Sequence, residues 1–470
     1  MSEVRPAAGL SFEATVPVLV IGGGAAGMTA ALKARGLGAD VVVLERDPVP
    51  SGSTAMSSGF IPAAGTRCQL RAGLAESDTP AILASDIRKK SKDTSDSRLV
   101  DLAVATIGPA LDWLEAEHGL EWILLDDFLY PGHSRHRMHA VPEKTGAALI
   151  ARLSHAAEEA GVTVLTSSHV TALLVDGDRV SGVTVARPDG SVERIGCDTL
   201  VLACNGYGGN RELVRKHIPE MGEAPYYGHA GNMGDAIVWG EALGAELRHL
   251  SGCQGHGSLA HPHGILITWA LMMEGAFQVN ERGERFSNEH QGYSEQAVAV
   301  LAEPGGVAWS IFDQRLYSFA QSFPDFVAAD KADAIRTADT IEALARDIGV
   351  PADRLAQTLG EVTACQKGAA TDPFGRDFSS KPRLSAPFHA VKVTGALFHT
   401  QGGLNIDAQA RVLRTDGTPL PNLFAGGGAA CGVSGPKISG YLSGNGLMTA
   451  IAFGALAGNA AARQAAASQG

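Results

Sequence analysis

The chain has 470 residues, 45% hydrophobic and 19% charged, with 57 glycines and a formal net charge of −12. At ~150 residues per domain this is material for about three units, or fewer larger ones, with a core of ordinary size. A collagen-like helix is excluded because the glycines have no three-residue period. A broad nucleic-acid footprint is excluded because it needs a net basic face, and a membrane span because the apolar stretches fall short of ~20 residues. The six cysteines (Cys68, Cys197, Cys204, Cys253, Cys365, Cys431) form no C-x-x-C. That argues against a zinc ribbon, a haem attachment site or a thioredoxin-type motif and fits a reducing cytoplasm. Met1 to Phe12 shows no basic start followed by an apolar run, so no secretory signal is expected.

In chain order, residues 1–15 read as a loose tail. Val16–Ile21 reads as a buried strand that runs into GGGAAGMTAALKARG, a glycine turn opening a helix. A second strand, Val41–Leu44, ends at Glu45. Residues 75–118 and 145–160 have helical texture. Residues 162–200 carry short alternating strands with an Asp-Gly turn. TLVLACNGYGG is a strand entering another glycine turn, and 234–247 is a helix. From about 249 the texture becomes His-rich, then mixed, with a polar helical stretch around 330–368. Strands and glycines return at 387, and the chain closes on an Ala-rich helix. No internal repeat is present. This order predicts one α/β domain built from residues 1–248 and 386–470, with a second domain inserted at 249–385.

Gly22, Gly24 and Gly27 form G-x-G-x-x-G between the first strand and its helix. The first glycine permits the turn and the second lets a pyrophosphate approach the backbone. The third lets helix and strand pack closely. The helix N-terminus, at Ala25 and Ala26, then holds the pyrophosphate, and Glu45 takes the ribose hydroxyls. No second complete fingerprint exists: in LFAGGGAACG (423–432) Cys431 stands at the third glycine position. One dinucleotide site with one inserted domain points to FAD and no NAD domain.

The segment VLVIGGGAAGMTAALKARGLGADVVVLERDPVPSGSTAMSSGF resembles the N-terminus of the fumarate reductase/succinate dehydrogenase flavoprotein family. HAGNMGDAI (229–237), VNERGERFSNE (279–289), HTQGGLNID (399–407) and NLFAGGGAACGVSG with YLSGNGLMTAIAFGALAG (422–458) match in the same order. The resemblance implies an α/β fold, a Rossmann-like FAD-binding domain of glutathione-reductase type with an inserted α+β capping domain that carries catalysis. It further implies FAD contacts from Arg46, Ser51, Ser53, Thr54, Ser58 and Gly59, and from Val170 through its backbone to the adenine. Ala203, Asn205, Gly206, Asp235 and Gly426 should line the cofactor. The last helix, from Asn445, Gly446 and Leu447, should point its N-terminus at the flavin, where the helix dipole favours negative charge. A family acid is replaced here by Gly428.

The departures concern charge. Reductases of this family clamp carboxylates with Arg and His and use an Arg as proton donor. After IFD, where that Arg is expected, stands Tyr317, with Arg315 two residues away; Phe398 replaces a substrate His, leaving His399; Tyr441 replaces a clamping Arg, with Lys437 nearby. Tyr293 takes a proton-relay position, and His256 is the reductase-type His that remains. Tyrosines beside an apolar neighbour suit a neutral ketone and are similar to the ketosteroid Δ1-dehydrogenases, which use one Tyr as base and another to bind the ketone. In this reading Tyr441 and the Gly444 N–H bind the carbonyl. Tyr317 removes the α-proton, which requires a lowered pKa or a proton relay. In HSRHRMH (133–139), Arg137 or His139 either rims the substrate pocket or belongs to a solvated loop. His249, His256, His261 and His263 lack acidic or Cys partners at ligand spacing, so no metal is expected. The expected function is therefore FAD-dependent desaturation of a cyclic ketone, keto acid or 3-ketosteroid. The alternative is a fumarate- or urocanate-type enoate reductase. Electrons would pass to an external acceptor (quinone, oxygen or a redox protein). No nucleic acid partner is expected, and the location is cytoplasmic.

Overall fold

Ala14–Ile21 ends in four buried residues, Val18 to Ile21, as a parallel strand covered on both faces should. It pairs in parallel with Val41–Leu44 on one side and Val192–Leu202 on the other. A computed structural model describes residues 3–74, 77–126 and 129–469. They fall into two compact units. The first comprises Met1–Ile218, Gly228–Cys253 and His399–Gly470; the second comprises Pro219–Tyr227 and Gln254–Phe398.

Among the described residues the sheet of the first unit has nine strands. Seven run from one edge in the order Glu3–Pro6, His169–Asp176, Arg179–Ala186, Val192–Leu202, Ala14–Ile21, Val41–Leu44 and Thr163–Leu165. Pro419–Ala425 joins the end of Val192–Leu202 in parallel and carries Arg411–Leu413 on its other side. Ile21, Leu202 and Ala425 lie in register. The three turns that follow them therefore leave from the same carboxyl edge, where ligands of open α/β sheets bind.

Helix Ala25–Gly36 packs on the C-terminal helix Asn445–Gln469 through small residues. A β-carbon on Gly454 would lie 2.4 Å from the Ala26 carbonyl oxygen, and one on Gly458 2.0 Å from that of Ala30. Residues four apart share a helix face, so two glycines meet two alanines along one seam.

Glu3–Pro6, expected as part of a loose tail, is a parallel edge strand with Val4 opposite Leu173. Four residues at a sheet edge are too few to show a period of two. In the second unit, six strands among the described residues form one sheet. Its path is Ile265–Leu266, Cys253–Ala260, Phe388–Thr400, Val307–Asp313 and Phe277–Val279, with Ile335–Ala338 also paired to Phe388–Thr400. The expected helical stretch around 330–368 is interrupted. Asp333 takes φ 57° after helix Pro324–Lys331, and Ile335–Ala338 then adds antiparallel to Phe388–Val391. The units divide after Cys253 and after Phe398, where the sequence placed the joins at 249 and 385, and Pro219–Tyr227 belongs to the second. Strand texture alone does not say which sheet Phe388–Thr400 serves.

Candidate active site

The glycine turn is built by close approach. A β-carbon on Gly27 would sit 1.8 Å from the Gly22 carbonyl oxygen, and one on Gly22 (φ 106°) 2.5 Å from that of Ala203. Gly24 caps helix Ala25–Gly36 without a side-chain hydrogen bond, and no acid stands in the first turn. Ala25 N–H donates to Thr54 Oγ1 at 3.1 Å. Glu45 accepts Gly23 N–H on Oε2 at 2.7 Å and Asp47 N–H on Oε1 at 2.9 Å, which aims the carboxylate along the turn. An uncapped twelve-residue helix with an acid on the next strand end is chemically suited to a dinucleotide pyrophosphate and ribose.

Around this turn, Ser53 Oγ accepts from Asn205 Nδ2 (3.2 Å) and Asn232 Nδ2 (2.8 Å). His229 donates from Nε2 to Asp47 at 2.7 Å and accepts Gly231 N–H on Nδ1. The Arg46 guanidinium lies on Gly231, where a β-carbon would fall 1.4 Å from it. Ser51 caps helix Gly52–Ala55, Ser58 is exposed, and Gly59 (φ 73°) packs on Thr145. The ladder of Val170 shifts register between Val170 and Ala172. Asp235 begins helix Asp235–Ala242. Ala203 and Gly426 donate to Ile21 and Leu202 carbonyls at the strand ends, and Gly206 faces Thr400. Where the acid is missing, a β-carbon on Gly428 would lie 2.1 Å from Asn205 Oδ1, so a side chain there would displace the Asn205 amide. Sequence reasoning missed Asp47, His229 and Asn232, although HAGN was visible as a matched segment.

At the C-terminal helix, Asn445 Oδ1 is buried and has no hydrogen-bond partner. Its Nδ2 donates to Ser434 Oγ, which donates to Gln401 Oε1 at 2.6 Å, and Gln401 Nε2 donates to His399 Nδ1 at 3.1 Å. His399 Nδ1 also lies 3.3 Å from the Thr400 carbonyl oxygen, and the Cε1–Nε2 edge of the ring packs against Gly446. Desolvation lowers the His399 pKa to about 4, against a carbonyl contact from Thr400 that raises it. Tyr441, set edge-on to His399 at 5.3 Å, is buried, and burial pushes its phenol upward. The N–H groups of Gly446 and Gly444 oppose that rise. Leu447 follows, partly buried, in the helix's first turn.

In the second unit, Phe398, His256 and Tyr293 come together as a stack. His256 lies 4.9 Å from Tyr293 at 15° and 5.2 Å from Phe398 at 22°. Tyr227 continues it beyond Phe398 at 4.9 Å, and Trp269 meets His256 and Tyr293 edge-on. Burial lowers the His256 pKa to about 3. Trp269 and Tyr227 were missed; they carry no motif, and their place is set by sheet pairing.

For Tyr317 the lowered-pKa alternative falls away, and the expectation for Arg137 is corrected. Tyr317 has a raised pKa, because its hydroxyl donates to the Asp330 carboxylate at 2.6 Å, so it is no phenolate. Its ring stacks on His389 at 4.7 Å. Arg137 has 0% exposure, and its three nitrogens bond Asp78 (3.0 and 2.8 Å) and Asp86 (2.7 Å). It is the centre of a buried ion cluster and has no face for substrate or solvent. His139 is also buried, against Thr66 Oγ1 and the Arg137 carbonyl. Of the other cations, Arg315 donates to the Glu274 carbonyl and Lys437 is exposed. His249 lies by Cys431 Sγ, and His261 and His263 are on an exposed hairpin turn. No helix among the described residues is long and apolar enough to cross a membrane.

The family model described as FAD binding domain matches residues 17–447. "Probable fumarate reductase Ifc3" of Shewanella frigidimarina is 31% identical over 456 residues, covering 96% of this chain and 75% of the relative. "4-oxocyclohex-2-ene-1-carboxylate 5-dehydrogenase" of Sinomonas cyclohexanicum is 26% identical, covering 96% and 94%. The solved 3-ketosteroid-delta4-(5alpha)-dehydrogenase of Rhodococcus jostii RHA1 shares the fold, with a TM-score of 0.77, 24% identity and coverage of 98% and 100%. The uncapped helix N-terminus and the unpartnered Asn445 oxygen suit the cofactor of these proteins. The chain belongs to the FAD binding domain family, among homologues of fumarate reductase, and is an FAD-dependent oxidoreductase acting on CH–CH groups.

Proposed function

We propose that the protein desaturates a ketone, introducing a C=C bond beside the carbonyl of a cyclic ketone or keto acid. The observation that carries this reading is the aromatic stack of the second unit, in which His256, kept from charging by burial, packs on Tyr293 and Phe398. Arg137, the cation the sequence offered for a carboxylate, is held by two aspartates.

The FAD would be held by the Gly22–Gly27 turn, Ala25, Ala26, Glu45, Arg46, Ser53, Thr54, Asn205 and the Asn445–Leu447 turn, and when bound supplies the two-electron acceptor. Tyr441, which burial keeps protonated, donates a hydrogen bond from its O–H to the ketone oxygen and keeps its proton; charge developing on that oxygen is stabilised, and the α-hydrogen becomes more acidic. Tyr317 takes the α-proton as its own passes to Asp330. His399 is held by Gln401 and the Thr400 carbonyl. The relative from Sinomonas cyclohexanicum supports the substrate class, since its name describes dehydrogenation of a ring ketone that also bears a carboxylate.

The second reading, reduction of a small unsaturated acid, is favoured by the 31% identity to a named fumarate reductase. Dye-linked steady-state assays separate the two. Cyclic ketones should reduce an artificial acceptor through the holoenzyme, while fumarate and urocanate should fail to oxidise a reduced dye. The reverse pattern would establish the reductase and sink the proposal.

A further inference from the structure

His256 and Trp269 face each other across a hairpin of the second unit. Leu259 pairs with Leu266 and Ala260 with Ile265. The Ile267 N–H donates to the Ser258 carbonyl at 2.9 Å. Continuing that register sets Trp269 opposite His256, and their rings lie 5.6 Å apart at 88°. Both are only 5% exposed. Even so, Trp269 Nε1, His256 Nδ1 and, on the same strand face, Ser258 Oγ have no hydrogen-bond partner. Buried polar atoms are normally paired, and an indole N–H can only donate. Three such atoms within one aromatic wall form the pattern of a ligand pocket, apolar with a few convergent polar groups.

We propose that Trp269 is a specificity-determining residue of the substrate site. Its indole N–H takes an oxygen of a six-membered ring compound, His256 Nδ1 and Ser258 Oγ add polar contacts, and the ring packs along the Trp269–Tyr293 edge. This rests on the ketone reading for its assumption that the wall faces substrate. A neutral hydroxyl, distinct from the carbonyl that Tyr441 would hold, is the class favoured. His256 stays uncharged, and Phe398, Tyr293, Tyr227 and Trp269 offer no cation to a carboxylate.

The test is equilibrium binding to oxidised holoenzyme without turnover. The probes are 4-methylphenol and cyclohexanol, with fumarate as the charged, non-ring comparison, read by calorimetry and flavin difference spectra. Trp269→Phe keeps the ring and removes the N–H; His256→Phe keeps the stack and removes Nδ1. Each should weaken both ring probes about 3–10-fold, the loss of one neutral hydrogen bond, with Tm nearly unchanged. Affinities that stay equal in both variants, or a wild-type enzyme that binds neither ring probe, overturn the inference. Flavin reduction by ketones is scored separately. Weakened ring binding without any flavin reduction would remove the ketone reading and leave Trp269 as a binding residue. Flavin reduction with unchanged affinities would do the opposite.

Discussion

The ring of Tyr441 meets the ring of His399 edge-on at 5.3 Å, and the Gly446 and Gly444 N–H groups oppose the rise that burial imposes on the phenol's pKa. A β-carbon on Gly446 would also press on the His399 ring at 2.9 Å. One glycine turn therefore positions both polar side chains. Tyr441→Phe should lower kcat for a ketone by about 10²-fold, the effect of losing one donor to a developing oxyanion. The flavin spectrum should persist and Tm should fall by only a few degrees. A change in kcat of less than threefold would remove Tyr441 from the chemistry.

Arg137→Met should be a stability variant. It leaves Asp78 and Asp86 buried without their cation, and breaking a buried pair costs roughly 3–5 kcal/mol. Denaturant unfolding should show that loss, while KM of the folded holoenzyme stays within twofold. A raised KM with intact stability would return Arg137 to the substrate site.

Gly27→Val should yield no FAD-loaded protein. The Gly22 carbonyl already stands where the first added carbon would go, so helix and strand cannot both keep their places. Absorbance of purified protein at the flavin bands is the measurement, and a normally loaded variant would contradict the turn geometry.

The parts of the molecule that depend on local spacing were legible in the sequence. Gly22, Gly24, Gly27 and Glu45 sit where a β–turn–α–β unit needs them, and the stack of Phe398, His256 and Tyr293 brings together three positions singled out beforehand. What escaped depends on partners distant in the chain. Nothing near Arg137 announces Asp78 and Asp86, and nothing in IFDQRLY reveals that Asp330 on the next helix accepts a hydrogen bond from the Tyr317 hydroxyl. Trp269 reaches His256 only because Cys253–Ala260 and Ile265–Leu266 form a hairpin.

Acid should destabilise the fold below neutrality. Burial holds His133, His139 and His399 at about 4 and His256 at about 3, whereas the unfolded value is near 6.5. Below about pH 6.5 the unfolded chain gains protons that the folded chain refuses. The stabilisation is thus complete above pH 6.5 and lost as pH falls towards 4, by roughly 2 kcal/mol per histidine at pH 5. Tm should be level between pH 7 and 8 and drop steeply between 6.5 and 5. A Tm unchanged down to pH 5 would show these rings to be solvated.

The most direct measurement is an anaerobic titration of the oxidised holoenzyme, followed by flavin absorbance. The panel is cyclohexanone, 4-oxocyclohexanecarboxylate and a 3-ketosteroid, with product analysis for a new C=C bond. Stoichiometric bleaching by at least one ketone, with the enone recovered, is the result expected of a desaturase. If no ketone bleaches the flavin and fumarate or urocanate reoxidises the chemically reduced enzyme, the neutral tyrosine site has been misread and the protein is a reductase.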